Sequence, residues 1–304
     1  MPQKIILDVD TGGDDAVATL LAGHHPGLEL IAVTVTHGNG PLEVTLDNTL
    51  RVIEAGELRQ VPVFSGAATP LVAGPVPTDP VQYATLPLPA PTLTPQKQRA
   101  VEFLIDYYLG PNGPQTIYAP IGPQTNLALA LRLEPKIARR IPRIVTMGGA
   151  YLEGNTTPSA EFNILADPEA AFVVFNAGIP ITMIGLEVTA QALVTLADAD
   201  RLAALATPWA QIAARLIRDE VQWFIDHLGW SGGQIYDACV TAAVIEPRIL
   251  QTRPMRVDIE LTGSLTRGRT VADISGHHSA KPNVDVGVGI DRQRFMEILF
   301  EGLR

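Results

Sequence analysis

Short apolar runs alternate with amphipathic segments along most of the chain. The runs are rich in isoleucine, valine and leucine, and polar, glycine or proline positions bound them. Such runs predict strands buried on both faces, whereas apolar residues at three- and four-residue intervals predict helices. The predicted strands are 5–9, 30–35, 61–64, 116–119, 143–147, 181–184 and 256–261. The predicted helices are 14–21, 42–55, 96–109, 125–133, 168–176, 198–227 and 291–303.

This order of elements predicts the fold class. Strands that alternate with helices of this length form parallel crossover units, with helices on both faces of the sheet. We therefore expect an α/β protein with a mainly parallel, Rossmann-like central sheet flanked by helices. Residues 66–95 hold many prolines and little periodicity, which predicts a long ordered loop over the sheet edge or the functional site. No repeat or linker interrupts the pattern, so residues 1–304 are expected to form one domain.

Four carboxylates lie within eight residues at the end of the first predicted strand, where residues 8–15 read D-V-D-T-G-G-D-D. Asp8 and Asp10 share one side of the strand, and Asp14 and Asp15 open a helix, whose dipole favours negative charge. Two like charges at ~4 Å repel by about 4 kcal/mol at an effective dielectric of 20, unless a cation lies between them. An all-oxygen set suits calcium or magnesium. The alternative is a helix N-cap with a solvated turn.

Residues 8–15 resemble the signature D-x-D-P-G-x-D-D of the inosine–uridine-preferring nucleoside hydrolases, with Thr11 in place of the usual proline. The resemblance covers nearly the whole chain, and the motifs are specific when taken together in this order and spacing. The further motifs are 38–39, 120–128, 147–149, 154–155, 160–163, 167–171 and 237–239. The resemblance implies calcium-dependent hydrolysis of the N-glycosidic bond of ribonucleosides to free base and ribose. It also implies a homodimer or homotetramer, with the site at the carboxyl ends of the strands.

The resemblance assigns roles to individual residues. It implies that Asp10, Asp15 and Asp237 bind calcium through their side chains and Ile121 through its backbone carbonyl. Asp10 would also be the general base, and Asp8 would orient its neighbours. The implied ribose-binding residues are Asp14, Asn39, Asn155, Glu161 and Asn163.

Some of these residues have a second interpretation when their local sequence is taken alone. The alternation at 161–163 predicts an extended segment with Glu161 and Asn163 on one side, or an ordinary polar turn. Asn39 after Gly38 is typical of a turn, and Asp237 before an apolar helix is typical of an N-cap.

The sequence departs from the family pattern on the side of the nucleobase. Many members have a histidine that protonates the leaving base immediately before the last aspartate, and here Tyr236 stands there. Many also carry an H-G-x-x-G-type motif after the third strand, but residues 76–90 contain neither histidine nor glycine. Tyr236, Trp223 and Trp230 are compatible with stacking on a base or with core or lid packing. The leaving-group acid, with Tyr236 as candidate, and the preference for purine or pyrimidine stay open.

Composition excludes several classes of partner. The formal charge of −10 disfavours nucleic acid and anionic membranes as partners. Hydrophobic residues make up 46% of the chain, which is enough for a large core. The apolar stretch 170–186 is broken by asparagine, glycine and proline, so we expect no membrane span. The single cysteine, Cys239, permits no intramolecular disulfide, fits a cytoplasmic protein and is expected to be a buried small hydrophobe. The adjacent His277 and His278 are expected in a surface loop. The expected partner is a ribonucleoside or ribose.

Two rival functions remain at this stage. Residues 8–12 also resemble the D-x-D-x-T signature of haloacid dehalogenase-type phosphatases, with Asp8 as nucleophile, although the later lysine and acidic pair of that family are not found. The second rival is a hydrolase-like protein that binds ribose or a nucleoside with weak or no turnover.

Overall fold

The fold comes from a computed structural model, which describes residues 1–72, 74 and 85–304. Part of the predicted loop 66–95, and most of the region 76–90, lies outside the described residues. The strands are β1 Gln3–Val9, β2 Leu28–Val35, β3 Val63–Ser65, β4 Thr116–Pro120, β5 Ile144–Met147, β6 Ile181–Ile184, β7 Leu250–Met255, β8 Val257–Ile259, β9 Thr270–Ala272 and β10 Val284–Ile290. The helices are α1 Gly13–His24, α2 Leu42–Ala55, α3 Ala100–Leu109, α4 Thr125–Leu133, α5 Phe162–Ala166, α6 Pro168–Phe175, α7 Leu186–Thr189, α8 Leu196–Ala203, α9 Pro208–Leu228, α10 Ala238–Ile245 and α11 Arg292–Leu303.

The central sheet has the strand order β3-β2-β1-β4-β5-β6-β10-β7. Neighbouring strands are parallel, except that β7 runs antiparallel to β10. The chain moves outward from β1 through β2 to β3, and then returns to place β4 on the other side of β1. In open α/β sheets, ligands bind at the carboxyl ends of the strands where the order reverses. The fold class predicted from sequence is confirmed, and the switch point lies between β1 and β4.

Two apolar layers cover the sheet. In β1, Ile5, Leu7 and Val9 pack on one face with α1, α2, α9, α10 and α11. Ile6 packs on the other face with α3, α4 and α6. Because helices cover both faces, most strands read as continuous apolar runs rather than as alternating ones.

Several predicted elements are corrected. The predicted helix 198–227 is two helices, α8 and α9, because Pro208 cannot continue a helix and Thr207 caps the new one by accepting from the Ala210 N–H. The predicted strand 256–261 is shorter, and as β8 it forms a separate two-stranded sheet with β9 rather than joining the large sheet. The last two strands of the large sheet, β10 and the edge strand β7, were missed. Exposed positions and a proline in β7, and glycines in β10, weaken the apolar pattern there.

Other expectations are confirmed. Cys239 is buried, and burial raises the pKa of its thiol to about 12. His277 and His278 are exposed, and their backbone N–H groups donate to Asp273. None of the helices in the described part of the chain combines the length and the hydropathy needed to cross a membrane.

Candidate active site

Asp10 follows β1 at the switch point and is almost completely buried. The Asn39 backbone N–H donates to its Oδ2 at 2.7 Å. A Cβ added at Gly38 would lie 2.0 Å from Oδ2, and one at Gly122 would lie 2.4 Å from Oδ1. The backbone after β2 and the backbone after β4 therefore press on opposite oxygens of one carboxylate, and only glycine permits this approach.

Asp15 closes the turn between β1 and α1. Its Oδ1 accepts from the Asp10 N–H at 3.1 Å, and its Oδ2 accepts from the Gly12 N–H at 2.9 Å. The side-chain amide of Asn39 also donates to Oδ2, at 3.3 Å. Thr11, the departure from the family signature, bonds to Thr49 of α2 at 2.7 Å. The turn is thus held by Asp15 and Thr11 of the acidic segment, by Asn39 in the loop after β2 and by Thr49 of α2.

Asp237, at the start of α10, brings a further carboxylate to this turn. Carboxylate oxygens of Asp14, Asp15 and Asp237 lie within 4.8 Å of one another. Asp237 occupies the N-cap position of α10 but makes no capping hydrogen bond with its side chain. Its carboxyl group is instead hydrogen-bonded to that of Asp14. The N-cap alternative therefore does not account for this residue.

The electrostatics of this cluster are unfavourable without a cation. Burial, followed by neighbouring carboxylates, raises the pKa values of Asp10 and Asp237 well above the ordinary range. Burial and Asp14 raise the pKa of Asp15 to about 7. No salt bridge within residues 1–72, 74 and 85–304 involves any of these four acids. A largely buried cluster of carboxylates without salt-bridge partners, and with oxygen atoms alone as ligands, fits a hard divalent cation.

Glu161 and Asn163 lie beside the acidic cluster, but not on the extended segment predicted for them. That prediction is wrong, because Glu161 is the N-cap of α5 and accepts from the backbone N–H groups of Asn163 and Ile164. Asn163 lies in the first turn of α5, and its amide donates to the Ile121 carbonyl at 2.9 Å. The predicted metal-binding carbonyl and two predicted ribose ligands thus lie together after β4 and β5.

Asp8 and Asn155 differ strongly in solvent exposure. Asp8 is fully buried and accepts from Thr34 at 2.6 Å and from Asn126 at 2.8 Å. The phosphatase hypothesis requires Asp8 to attack a phosphate, and a fully buried carboxylate cannot reach one. Asn155 lies in an exposed loop, accepts from the Phe162 N–H at 3.0 Å and is hydrogen-bonded to Tyr236.

An aromatic group lies around Tyr236, which is half-buried. The rings of Tyr236 and Phe224 are 6.3 Å apart, and Trp230 stacks on Phe224 at 5.0 Å. Trp223 stacks on His227 at 4.8 Å. Burial and the charge of Glu220 raise the pKa of Tyr236 above its usual value, so the phenol stays protonated near neutral pH.

Glu220 was missed by the sequence reasoning. It is half-buried on α9, and burial together with the charge of Asp14 raises its pKa to about 8. The sequence did contain one indication of it. Glu220 lies on the same face of α9 as the buried Ile217, Val221 and Phe224, where an apolar residue is expected.

Comparison with known proteins agrees with this geometry. The profile of the family described as inosine-uridine preferring nucleoside hydrolase matches residues 5–297. The chain belongs to this family. Among its relatives is the pyrimidine-specific ribonucleoside hydrolase RihA of Enterobacter sp. (strain 638), 40% identical over all of this chain and 98% of the relative. The RihA of Salmonella typhimurium is also 40% identical, over all of this chain and 99% of its own.

Solved structures of nucleoside hydrolases match over the full length. A plant nucleoside hydrolase superposes with a TM-score of 0.93 at 27% identity, covering 100% of this chain and 99% of its own. A purine-preferring ribonucleoside hydrolase from Gardnerella vaginalis superposes with a TM-score of 0.90 at 30% identity, covering 99% and 98%. The predicted family and enzyme class, nucleoside hydrolase, are confirmed.

Proposed function

We propose that this nucleoside hydrolase cleaves pyrimidine ribonucleosides to free base and ribose with the help of calcium. The observation that carries the proposal is the carboxylate cluster at the switch point of the sheet, where half-buried Asp14 lies against buried Asp15 and Asp237 and buried Asp10 adjoins them. The pyrimidine preference rests on the relatives at 40% identity, which are named pyrimidine-specific. Comparing kcat/KM for uridine, cytidine, inosine and adenosine tests it. A higher value for inosine than for uridine would reject the preference.

Calcium would be held by the side chains of Asp10, Asp15 and Asp237 and by the Ile121 carbonyl. Asp14 lies close enough to Asp15 and Asp237 to add a fourth carboxylate to this set. When bound, calcium supplies positive charge that orients water and ribose hydroxyls and favours loss of a proton from that water.

The residues of the chain supply the remaining chemistry. Asp10, fixed by the Asn39 N–H and by two glycines, accepts the proton of the attacking water. Cleavage passes through a sugar that resembles an oxocarbenium ion, and the surrounding carboxylates stabilise its positive charge. The ribose hydroxyls bond to polar side chains on both sides of the cluster. These side chains are Asp14, Asn39, Asn155, Glu161 and Asn163.

Asp8 has a positioning role in this proposal. Through Thr34 and Asn126 it joins β1 to β2 and to the start of α4. We propose further that residues 1–304 act as one domain in a cytoplasmic homodimer or homotetramer, and sedimentation velocity tests the oligomeric state.

Tyr236 is proposed to help the base depart through a hydrogen bond rather than by full proton transfer, because its pKa is raised. Leaving groups that need no proton are then favoured. We expect nitrophenyl riboside to be cleaved far faster than inosine or uridine, and Tyr236→Phe to change that rate little. Tyr236→His is expected to raise nucleoside turnover. Steady-state kinetics of the three proteins check this, and equal rates for uridine and nitrophenyl riboside in the natural enzyme would reveal another acid.

Gly122→Ala tests the fixed position of Asp10. The new Cβ would lie 2.4 Å from Asp10 Oδ1 and 3.1 Å from the Asp10 backbone nitrogen, so the carboxylate must move. We expect kcat to fall about 100-fold, the cost of a misplacement near 1 Å. Gly13→Ala is the matched control, since nothing lies within 4 Å of its Cβ. Equal kcat values in the two variants would argue against Asp10 as the base.

A further inference from the structure

Helix α2 buries three polar side chains on one of its faces. Thr45, Asn48 and Thr49 are spaced three and four residues apart, so they share this face, and none is more than 3% exposed. A buried helix face is normally apolar, because polar groups there must find hydrogen-bond partners. Each of the three side chains bonds to a segment that follows β1 or β2, and Thr45 Oγ1 donates to the Thr36 carbonyl at 2.8 Å.

Thr11, the residue in place of the proline of the family signature, is bound to this face at two points. The Asn48 side-chain amide donates to the Thr11 carbonyl at 3.1 Å. The hydroxyl oxygens of Thr11 and Thr49 are 2.7 Å apart. Thr49 donates its single hydroxyl proton to the Thr45 carbonyl at 2.7 Å, so Thr11 must be the donor to Thr49. The buried Thr11 hydroxyl therefore depends on Thr49 as its acceptor.

Thr11 lies between the two backbone groups that hold Asp15. The N–H of Asp10 before it and the N–H of Gly12 after it both donate to the Asp15 carboxylate, at 3.1 and 2.9 Å. Rotation of the backbone at Thr11 therefore moves these two N–H groups relative to each other and disturbs both contacts. Gly12 and Gly13 follow, and glycine restricts the backbone least, so the turn needs a constraint from elsewhere.

Proline and threonine constrain such a turn by different means. Proline fixes φ at about −65° through its ring and has no N–H group. In the part of the chain that the structure describes, the Thr11 N–H donates to no acceptor, so this position also suits a proline. Thr11 lacks the ring, and its bonds to Asn48 and Thr49 of α2 supply the constraint instead.

We propose that Thr11 and Thr49 are positioning residues, whose hydroxyl–hydroxyl bond fixes the turn that presents Asp10 and Asp15 to the cation. The inference rests on the proposed function, because it concerns the calcium site assigned there. A turn that leaves the binding conformation lowers the apparent affinity in proportion to the time it spends elsewhere. Residues that orient metal ligands typically contribute about 10- to 100-fold to metal affinity.

The experiment measures the calcium Kd of the metal-free protein by titration calorimetry. Thr11→Val and Thr49→Val each remove one hydroxyl at nearly constant size, and each is expected to raise the Kd about 10- to 100-fold. The double variant is expected to be no worse than either single one, because both hydroxyls serve one bond. Thr19→Val is the matched control and is expected to leave the Kd unchanged. It removes a buried hydroxyl that has no hydrogen-bond partner among the described residues.

The double variant Thr11→Pro/Thr49→Val separates a positioning role from a packing role. It differs from Thr11→Val/Thr49→Val only in the ring that fixes φ, so it is expected to recover most of the lost affinity. The melting temperature of each metal-free protein is recorded as well. A purely structural role would lower that temperature and leave the Kd unchanged.

Every outcome supports or overturns the proposal. An unchanged Kd in Thr11→Val and Thr49→Val would overturn it, as would an equal loss of affinity in Thr19→Val. No recovery with proline would overturn it too, because the hydroxyl pair would then do something other than restrict the turn. If Thr11→Val does not fold, Thr49→Val gives the same test from the side of α2. Absence of calcium binding by the natural protein would reject the proposed metal site and this inference with it, whereas a failure of the inference alone shows only in the variants.

Discussion

Chelation of divalent cations is expected to abolish hydrolysis of every ribonucleoside and to lower the melting temperature, and added calcium is expected to restore both. Burial, and after it the repulsion between neighbouring carboxylates, raises the pKa values of Asp10, Asp15 and Asp237, so their charged forms are unfavourable without a cation. Calcium at 100 times its Kd stabilises the folded state by about 2.7 kcal/mol. Activity and melting temperature are measured in chelator, and again after addition of calcium or magnesium.

Two variants sharpen this prediction. Asp15→Asn and Asp237→Asn are expected to lower kcat/KM at least about 100-fold and to lose the calcium-dependent rise in melting temperature. Glu169→Gln, which alters an acid paired with Arg267 away from the cluster, is the control and keeps both responses. Full activity in excess chelator would contradict the calcium assignment.

Loss of the ribose 2′-hydroxyl is expected to reduce turnover about 10⁴-fold, because a site built to bond a hydroxyl leaves polar groups unpaired without it. Comparison of kcat/KM for uridine and 2′-deoxyuridine measures this. Asp14→Ala and Asn163→Ala are expected to damage turnover of all nucleosides alike, since all share the sugar. Asn112→Ala, an exposed position before β4, is the control. Equal rates for the ribo- and deoxyribonucleoside would contradict the sugar assignments.

The site was predictable where its residues are neighbours in the chain. Residues 8–15 bring four acids to one strand end, and local sequence alone indicates a metal site there. Asp237 is distant in sequence, and only the family resemblance placed it with them. The structure shows why it arrives, since α10 packs against β4 and β5 beside the switch point.

Other features depend on contacts that the local pattern does not contain. The alternation at 161–163 resembles a strand, but the Glu161 carboxylate accepts from two backbone N–H groups and starts α5 instead. Glu220 lies near Asp14 because α9 packs against α1, and the sequence of neither helix reveals that contact. The strand β10 was hidden by its glycines, although it pairs with both β6 and β7.

Product analysis of uridine incubated with the purified, calcium-supplemented protein tests the proposed hydrolysis most directly. Free uracil and ribose are quantified by chromatography over time, with Asp10→Asn as the matched inactive control. We expect uracil and ribose to appear in equal amounts with the natural enzyme, and at least about 100-fold more slowly with the variant. Calorimetric binding of ribose without any release of uracil would contradict it and would identify a binding protein instead.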